Sequence, residues 1–266
     1  MKTLINIILI TTQLIFFGCE VEEIISTETV YVEYTVVQAE LHPERLFPGV
    51  RFTKTLPLGV PYDLAEAELK NVTAYIVKNE VQVIPLLYTS EGMYEPLYEF
   101  FIHEGETYEL YAELEEKYIY GRTIIPQKPN VASVNFNPND YYFGADVHNI
   151  NDEVYAALWI VTGTPPAKAD DFFSVTTPST GYNIIKKVQT SSLPEEYRNN
   201  SYNGSRNIQV FSFDKSFSEY FYSRTSGQQI NDPFIQGGGV VEWNVQGENV
   251  IGMFIGVTPG DVINVN

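Results

Sequence analysis

Three histidines, one cysteine and 34 carboxylates are the side chains of this 266-residue chain best suited to chemistry. Zinc chemistry needs His or Cys at short, repeated spacings, and His42, His103 and His148 are too far apart to form such a pair. A lone cysteine, Cys19, excludes thiolate clusters and intramolecular disulfides. No Gly-x-Ser-x-Gly elbow offers an activated serine. Gly237-Gly238-Gly239 leads into strand-type sequence rather than a helix, so a phosphate cradle is not expected. Close carboxylate pairs of the kind that hydrolyse glycosides arise by chance among so many acids, but here the acids are spread along solvated strand faces. Asn137, Asn139, Asp140, Asp146, Asn149, Asn151 and Asp152 offer oxygen ligands to calcium without the EF-hand spacing, and turn chemistry accounts for them. The expectation is a protein with no catalytic set, no cofactor and no metal site.

Cys19 then needs another use. Residues 1–18 hold one early Lys, an apolar run from Leu4 to Phe17 broken by Thr11, Thr12 and Gln13, and Gly18 at the end. That is the pattern of a secretory signal peptide, too short and too polar for a transmembrane helix. Ile15-Phe16-Phe17-Gly18-Cys19 resembles a bacterial lipobox, which implies that Cys19 is acylated and begins the mature chain. The alternative is a secreted protein with a spare thiol. Glu20, Glu22 and Glu23 follow at once, so residues 19–27 read as an acidic tether. This resembles the tether that marks outer-membrane lipoproteins of Bacteroidota for the cell surface; a plain solvated linker on a periplasm-facing body is the alternative. With 34 acids against 16 bases and a net charge of −18, the chain has no basic stripe with which to bind nucleic acid.

The elements that would carry any site are strands. Thr29 to Val37 is β-branched and aromatic, and Val50 to Leu56 alternates apolar and polar residues. Asn71 to Val77 and Val81 to Ile84 flank a hairpin turn, Lys78-Asn79-Glu80. Thr107 to Leu114 alternates again, and Leu64 to Leu69 reads as loop. Residues 28–126 thus suggest an Ig-like or transthyretin-like β-sandwich. Pro126-Gln127-Lys128-Pro129 punctuates the chain as a hinge, and residues 127–266 read as a second β-rich domain. There, Val131 to Phe136, Phe143 to Ile150, Asn207 to Phe213, Val240 to Val245 and Val250 to Val257 are strand-like. Val154 to Val161 is apolar throughout, as in a strand buried on both faces. One helix is expected near 216–226, capped by Ser216 and Glu219, with Phe217, Tyr220, Phe221 and Arg224 on one stripe and Gly227 as its stop. The fold expected is mainly β: two sandwich-like domains and one short helix.

The long stretch 163–206 reads mostly as loop, and Phe172, Phe173, Tyr182, Tyr197 and Tyr202 stand in it among Asn, Ser and Gly. Aromatics in adaptable polar surroundings make good contact surfaces, so these five form the candidate binding loop; stapling the loop to a sheet is their other use. Several motifs together resemble the Bacteroidota outer-membrane lipoproteins catalogued as domain of unknown function 4249. They are Val50 to Thr55 with Pro57, Ala67 with Val72, Gly92-Met93-Tyr94, Gly105 to Leu110, Ile124-Ile125-Pro126, the aromatic helix, and Gly252-Met253-Phe254. The resemblance implies a surface lipoprotein commonly encoded with TonB-dependent transporters, and brings no catalytic or binding residue with it. The function expected is a non-enzymatic binding or interaction module accessory to such a transporter. A surface enzyme acting on glycan or peptide, and a structural or adhesion lipoprotein, are the alternatives.

Overall fold

Alternation of apolar and polar residues builds strands here, and the protein is mainly β. The computed structural model describes residues 31–57, 59–151, 153–162, 167–168, 185–198, 204–220 and 241–265. In chain order the strands are β1 Thr35–Leu41, β2 Val50–Lys54, β3 Thr73–Lys78, β4 Gln82–Tyr88, β5 Met93–Pro96, β6 Thr107–Leu114, β7 Lys117–Ile124 and β8 Asn130–Asn137. They continue as β9 Tyr142–His148, β10 Val154–Thr162, β11 Ala167–Lys168, β12 Ile185–Gln189, β13 Ser205–Phe213, β14 Val245–Gln246 and β15 Val250–Asn264. Among the described residues no helix is long and apolar enough to cross a membrane. The segments expected to be a signal peptide (1–18) and an acidic tether (19–27), with Cys19, lie outside the described residues.

Twelve strands form one continuous sheet in the order β11-β10-β13-β15-β1-β2-β5-β4-β3-β6-β7-β14, and β12-β9-β8 form a second. The large sheet curls until β7 returns to β15. The Gly256 N–H donates to Thr123 Oγ1 at 2.8 Å, and a Cβ on Gly121 would stand 3.2 Å from that of Phe254. Asn244 bridges the short gap beside β14. Its amide accepts from the Phe254 N–H at 2.8 Å and donates to the Phe254 carbonyl at 2.5 Å, replacing a strand partner. Inside the curl lies the first core, with Val37, Phe52, Ile76, Leu110 and Phe254 fully buried. A second core packs β10 and β13 against β9 and β12, around Phe143, Tyr155, Trp159 and Ile208.

β15 joins the two regions. Its first half pairs in parallel with β1, Thr35 opposite Val250 through Leu41 opposite Gly256, and its second half pairs antiparallel with β13. The carboxyl-terminal strand therefore contributes Val250 and Phe254 to the core built by the first 125 residues. The Pro126–Pro129 segment is stitched in place: Thr258 Oγ1 donates to the Pro126 carbonyl at 2.6 Å, and Ser212 Oγ donates to that of Gln127.

Several local expectations change. β1 begins at Thr35, and 31–34 are not strand. Leu64–Ala67 forms a helical turn, because the Asp63 carboxylate accepts from the Ala65 N–H at 2.9 Å. The loop region 163–206 contains β12 and a 3₁₀ turn, Glu195–Tyr197. Residues 216–220 are helical, but the cap is Asp214, whose Oδ1 accepts from the Ser216 N–H at 3.0 Å and from its hydroxyl at 2.8 Å. A carboxylate two residues earlier is the stronger acceptor and also suits the positive end of the helix. Phe221, Arg224 and Gly227 lie outside the described residues. β10 is buried from Val154 to Trp159, as its unbroken apolar run requires.

One buried acid sits at the stitched segment. Glu153 is 6% exposed; its Oε1 accepts from the Gln127 N–H at 2.6 Å and its Oε2 from the Tyr155 hydroxyl at 3.4 Å. Burial pushes its pKa up to about 7, with the charges of Glu104 and Asp214 adding to the effect against those hydrogen bonds. The folded state therefore keeps a proton that the unfolded chain releases near pH 4.5. Stability from this group is complete below that pH and is lost as pH rises to about 7, by up to about 3 kcal/mol. Thermal melts should show Tm falling between pH 5 and pH 7.5 in the native chain. Glu153→Gln keeps the acceptor and should flatten that slope; an unchanged slope would remove Glu153 as its source.

Candidate functional site

The structure separates the residues that the sequence singled out. His42 Nε2 lies 3.0 Å from Glu40, His103 Nδ1 lies 3.3 Å from Glu44, and the His148 carbonyl accepts from Tyr155, each in a different place. Among the described residues no cluster of three or more His, Cys, Asp or Glu side chains could hold a metal. Asn137 is engaged in its own turn, accepting from the N–H groups of Asn139 at 2.9 Å and Asp140 at 3.3 Å. Of the five aromatic loop residues, Phe172, Phe173, Tyr182 and Tyr202 lie outside the described residues. Tyr197 is 7% exposed, in the second core, with its ring centroid 5.9 Å from that of Trp159.

Two surface features that single-strand reading does not reveal come from strand register. The first is the outer face of β5-β4-β3-β6-β7. Tyr75 stands opposite Pro85 on one side and Tyr111 on the other, and Tyr111 stands opposite Tyr120. The rings of Tyr75 and Tyr111 stack at 5.2 Å and 11°, and Tyr120 follows at 5.2 Å from Tyr111. Tyr120 donates to Glu109 Oε1 at 2.9 Å; burial first, then that bond, pushes its phenol up to about 12. Around this row Val83, Leu87 and Leu97 are all more than half exposed. The sequence places acids on solvated strand faces, but the centre of this exposed face is apolar and aromatic. An apolar face with aromatic residues at its centre and Glu95, Glu99 and Glu113 exposed around it has the make-up of a contact surface.

The second feature is a groove of about 790 Å³ on the outer side of β1 and β15. Val36, Ile251 and Met253 form its floor. The helical residues 216–220 wall one side, where Phe217 stacks on Phe213 at 4.1 Å and 12° and Tyr220 meets Trp243 at 5.2 Å. Met93 and Arg51, cross-strand partners on β5 and β2, line the groove as well. Arg51 is partly buried, and among the described residues it makes no ion pair, hydrogen bond or ring contact. Glu40, the carboxylate of the lining, is held to His42 at 3.0 Å, and that hydrogen bond is the main cause keeping its pKa below the usual carboxylate value.

No protein-family model matches the chain, and no curated protein matches it.

Tyr197 gives a direct test of the core placement. Tyr197→Ser empties a buried site beside Trp159 and should cost about 2–4 kcal/mol, seen as a clear drop in Tm. Unchanged stability would mean that the ring is not packed in the second core.

Proposed function

We propose that the chain is a non-enzymatic, lipid-anchored binding module of the outer-membrane surface, accessory to a TonB-dependent transporter. The observation that supports an interaction role most strongly is the tyrosine-centred apolar face of β3 to β7. Soluble surfaces rarely leave Val83, Leu87 and Leu97 together in water unless something covers them. Its acidic surroundings ask for a partner with an apolar centre edged by Lys or Arg, and a net charge of −18 disfavours a second copy of the same chain. The lipobox at Cys19 and the acidic residues after it support attachment to the membrane that holds such a transporter. The motif resemblance to the lipoproteins of domain of unknown function 4249 points the same way.

Two measurements test this reading. Cys19→Ser should move the protein from the membrane fraction to the soluble fraction; a variant that stays bound as tightly as the native chain would refute the anchor. Purification of the lipidated chain from its own membranes should bring a TonB-dependent transporter with it. Val83→Lys with Leu87→Lys, both at exposed positions, should leave stability within about 0.5 kcal/mol of native and lose that partner. Retention of the transporter by the double variant would remove this face from the interaction.

A further inference from the structure

The groove over β1 and β15 is a separate surface, and its chemistry is more specific than that of the tyrosine face. Its walls are aromatic and its floor aliphatic, with Met93 and Met253 supplying thioethers that adapt to irregular shapes. Its volume of about 790 Å³ suits a small-molecule site, which is usually apolar with a few polar groups that fix orientation. Into this surface the chain places a guanidinium, Arg51, with no partner among the described residues. A partly buried cation without an ion pair loses hydration without compensation, so a retained arginine at the edge of an apolar groove is matched best by an anion brought by a ligand. Glu40, the carboxylate of the lining, pairs with His42 and forms no ion pair with Arg51. Gln38, opposite Arg51 in the β1–β2 register and also part of the lining, adds a neutral amide beside the guanidinium.

The geometry points to a binding site for an anionic amphiphile: an apolar body lying along the aromatic wall and a single anionic head, carboxylate or phosphate, held by Arg51. This inference rests on the reading of the chain as a binding module and goes beyond it by naming a ligand class. It involves neither the lipid anchor nor the tyrosine face.

The protein carries its own reporter. It has two tryptophans; Trp159 is buried in the second core, and Trp243 lines the groove. The full chain with Cys19→Ser, which avoids both anchor and detergent, and Trp159→Phe, which leaves Trp243 as the sole tryptophan, is excited where tyrosine does not absorb and titrated below the micelle concentration or solubility limit of each probe. Dodecanoate, dodecyl phosphate and dodecanol share a tail and differ in head group. At least one anion should bind saturably and shift the Trp243 emission, and Arg51→Gln should weaken it about tenfold with little change for dodecanol. Arg51→Lys should recover part of the loss, as a point charge without the planar fork. Which anion binds more tightly separates a fatty-acid type of ligand from a phosphate-headed one. Equal weakening of anion and alcohol, or anion binding that Arg51→Gln leaves unchanged, overturns the proposal. So does an absence of binding by all three probes, which would leave the groove to the chain's own residues. Concentration-dependent self-association that competes with the probes would assign the groove to a second copy and overturn it too. Because the readout uses purified protein and defined probes, it can fail while the anchor and the transporter partner stand, and the reverse holds as well.

Discussion

The parallel contact between β1 and β15 is the constraint on which the rest of the structure depends. Gly252 sits at φ +125°, and a Cβ there would lie 1.9 Å from the Val37 carbonyl oxygen, a distance no side chain tolerates. The absence of a side chain lets β15 lie directly against β1. From that position the same strand buries Phe254 in the first core, continues along β13 beside the second, and presents Ile251 and Met253 as the floor of the groove. From Gln209 opposite Val262 to Phe211 opposite Pro259 the pairing steps two residues on β13 and three on β15, and this bulge on β15, next to its one proline, lets the strand keep pairing. Displacing β15 would open the first core and dismantle the groove in one step.

How much of this was legible in the sequence depended on whether the deciding contacts were local. β10 was legible because an unbroken apolar run has one economical use, a strand covered on both faces. The β3–β4 turn at Asn79 and Glu80 was legible in the same way, and both residues adopt positive φ, as the tight hairpin requires. β12 was hidden because its pattern is inverted: Ile185 is exposed while Lys186 is buried, its ammonium donating to the Glu153 carbonyl at 3.2 Å and lying over the Tyr155 ring. The helix start was misplaced by two residues because Ser216 offered a complete local signature, while Asp214 also serves a distant group, accepting from the Ile124 N–H at 2.8 Å. The mainly β class came from many weak local signals that agree. The return of β15 to β1 came from none of them, since parallel pairing across the whole chain leaves no trace in either strand alone.

Function followed the same division. Sequence reasoning looked for binding in loops, where aromatics stand among polar residues, and the one such aromatic within the described residues, Tyr197, is packed beside Trp159. The surfaces suited to contact arise from register instead. Tyr75, Tyr111 and Tyr120 belong to three strands and form one row only when those strands are aligned. Arg51 reads in the sequence as the ordinary outward residue of an alternating strand; β15 and the 216–220 helix, both far along the chain, give it an apolar setting. The chain thus carries two chemically different faces. One is broad, tyrosine-rich and acid-edged, suited to a protein. The other is concave, aromatic and cationic at one point, suited to a small anion with an apolar body.

The view that the tyrosine face is covered by a partner in the cell is tested most directly by site-specific photo-crosslinking in living cells. A benzophenone side chain at Val83, 57% exposed on that face, is compared with one at Ile185, 49% exposed on the smaller sheet. Coverage by a transporter predicts one discrete heavy adduct from position 83, identified as a TonB-dependent outer-membrane protein, and none from position 185. No adduct at 83, or the same mixture of adducts from both positions, would contradict it.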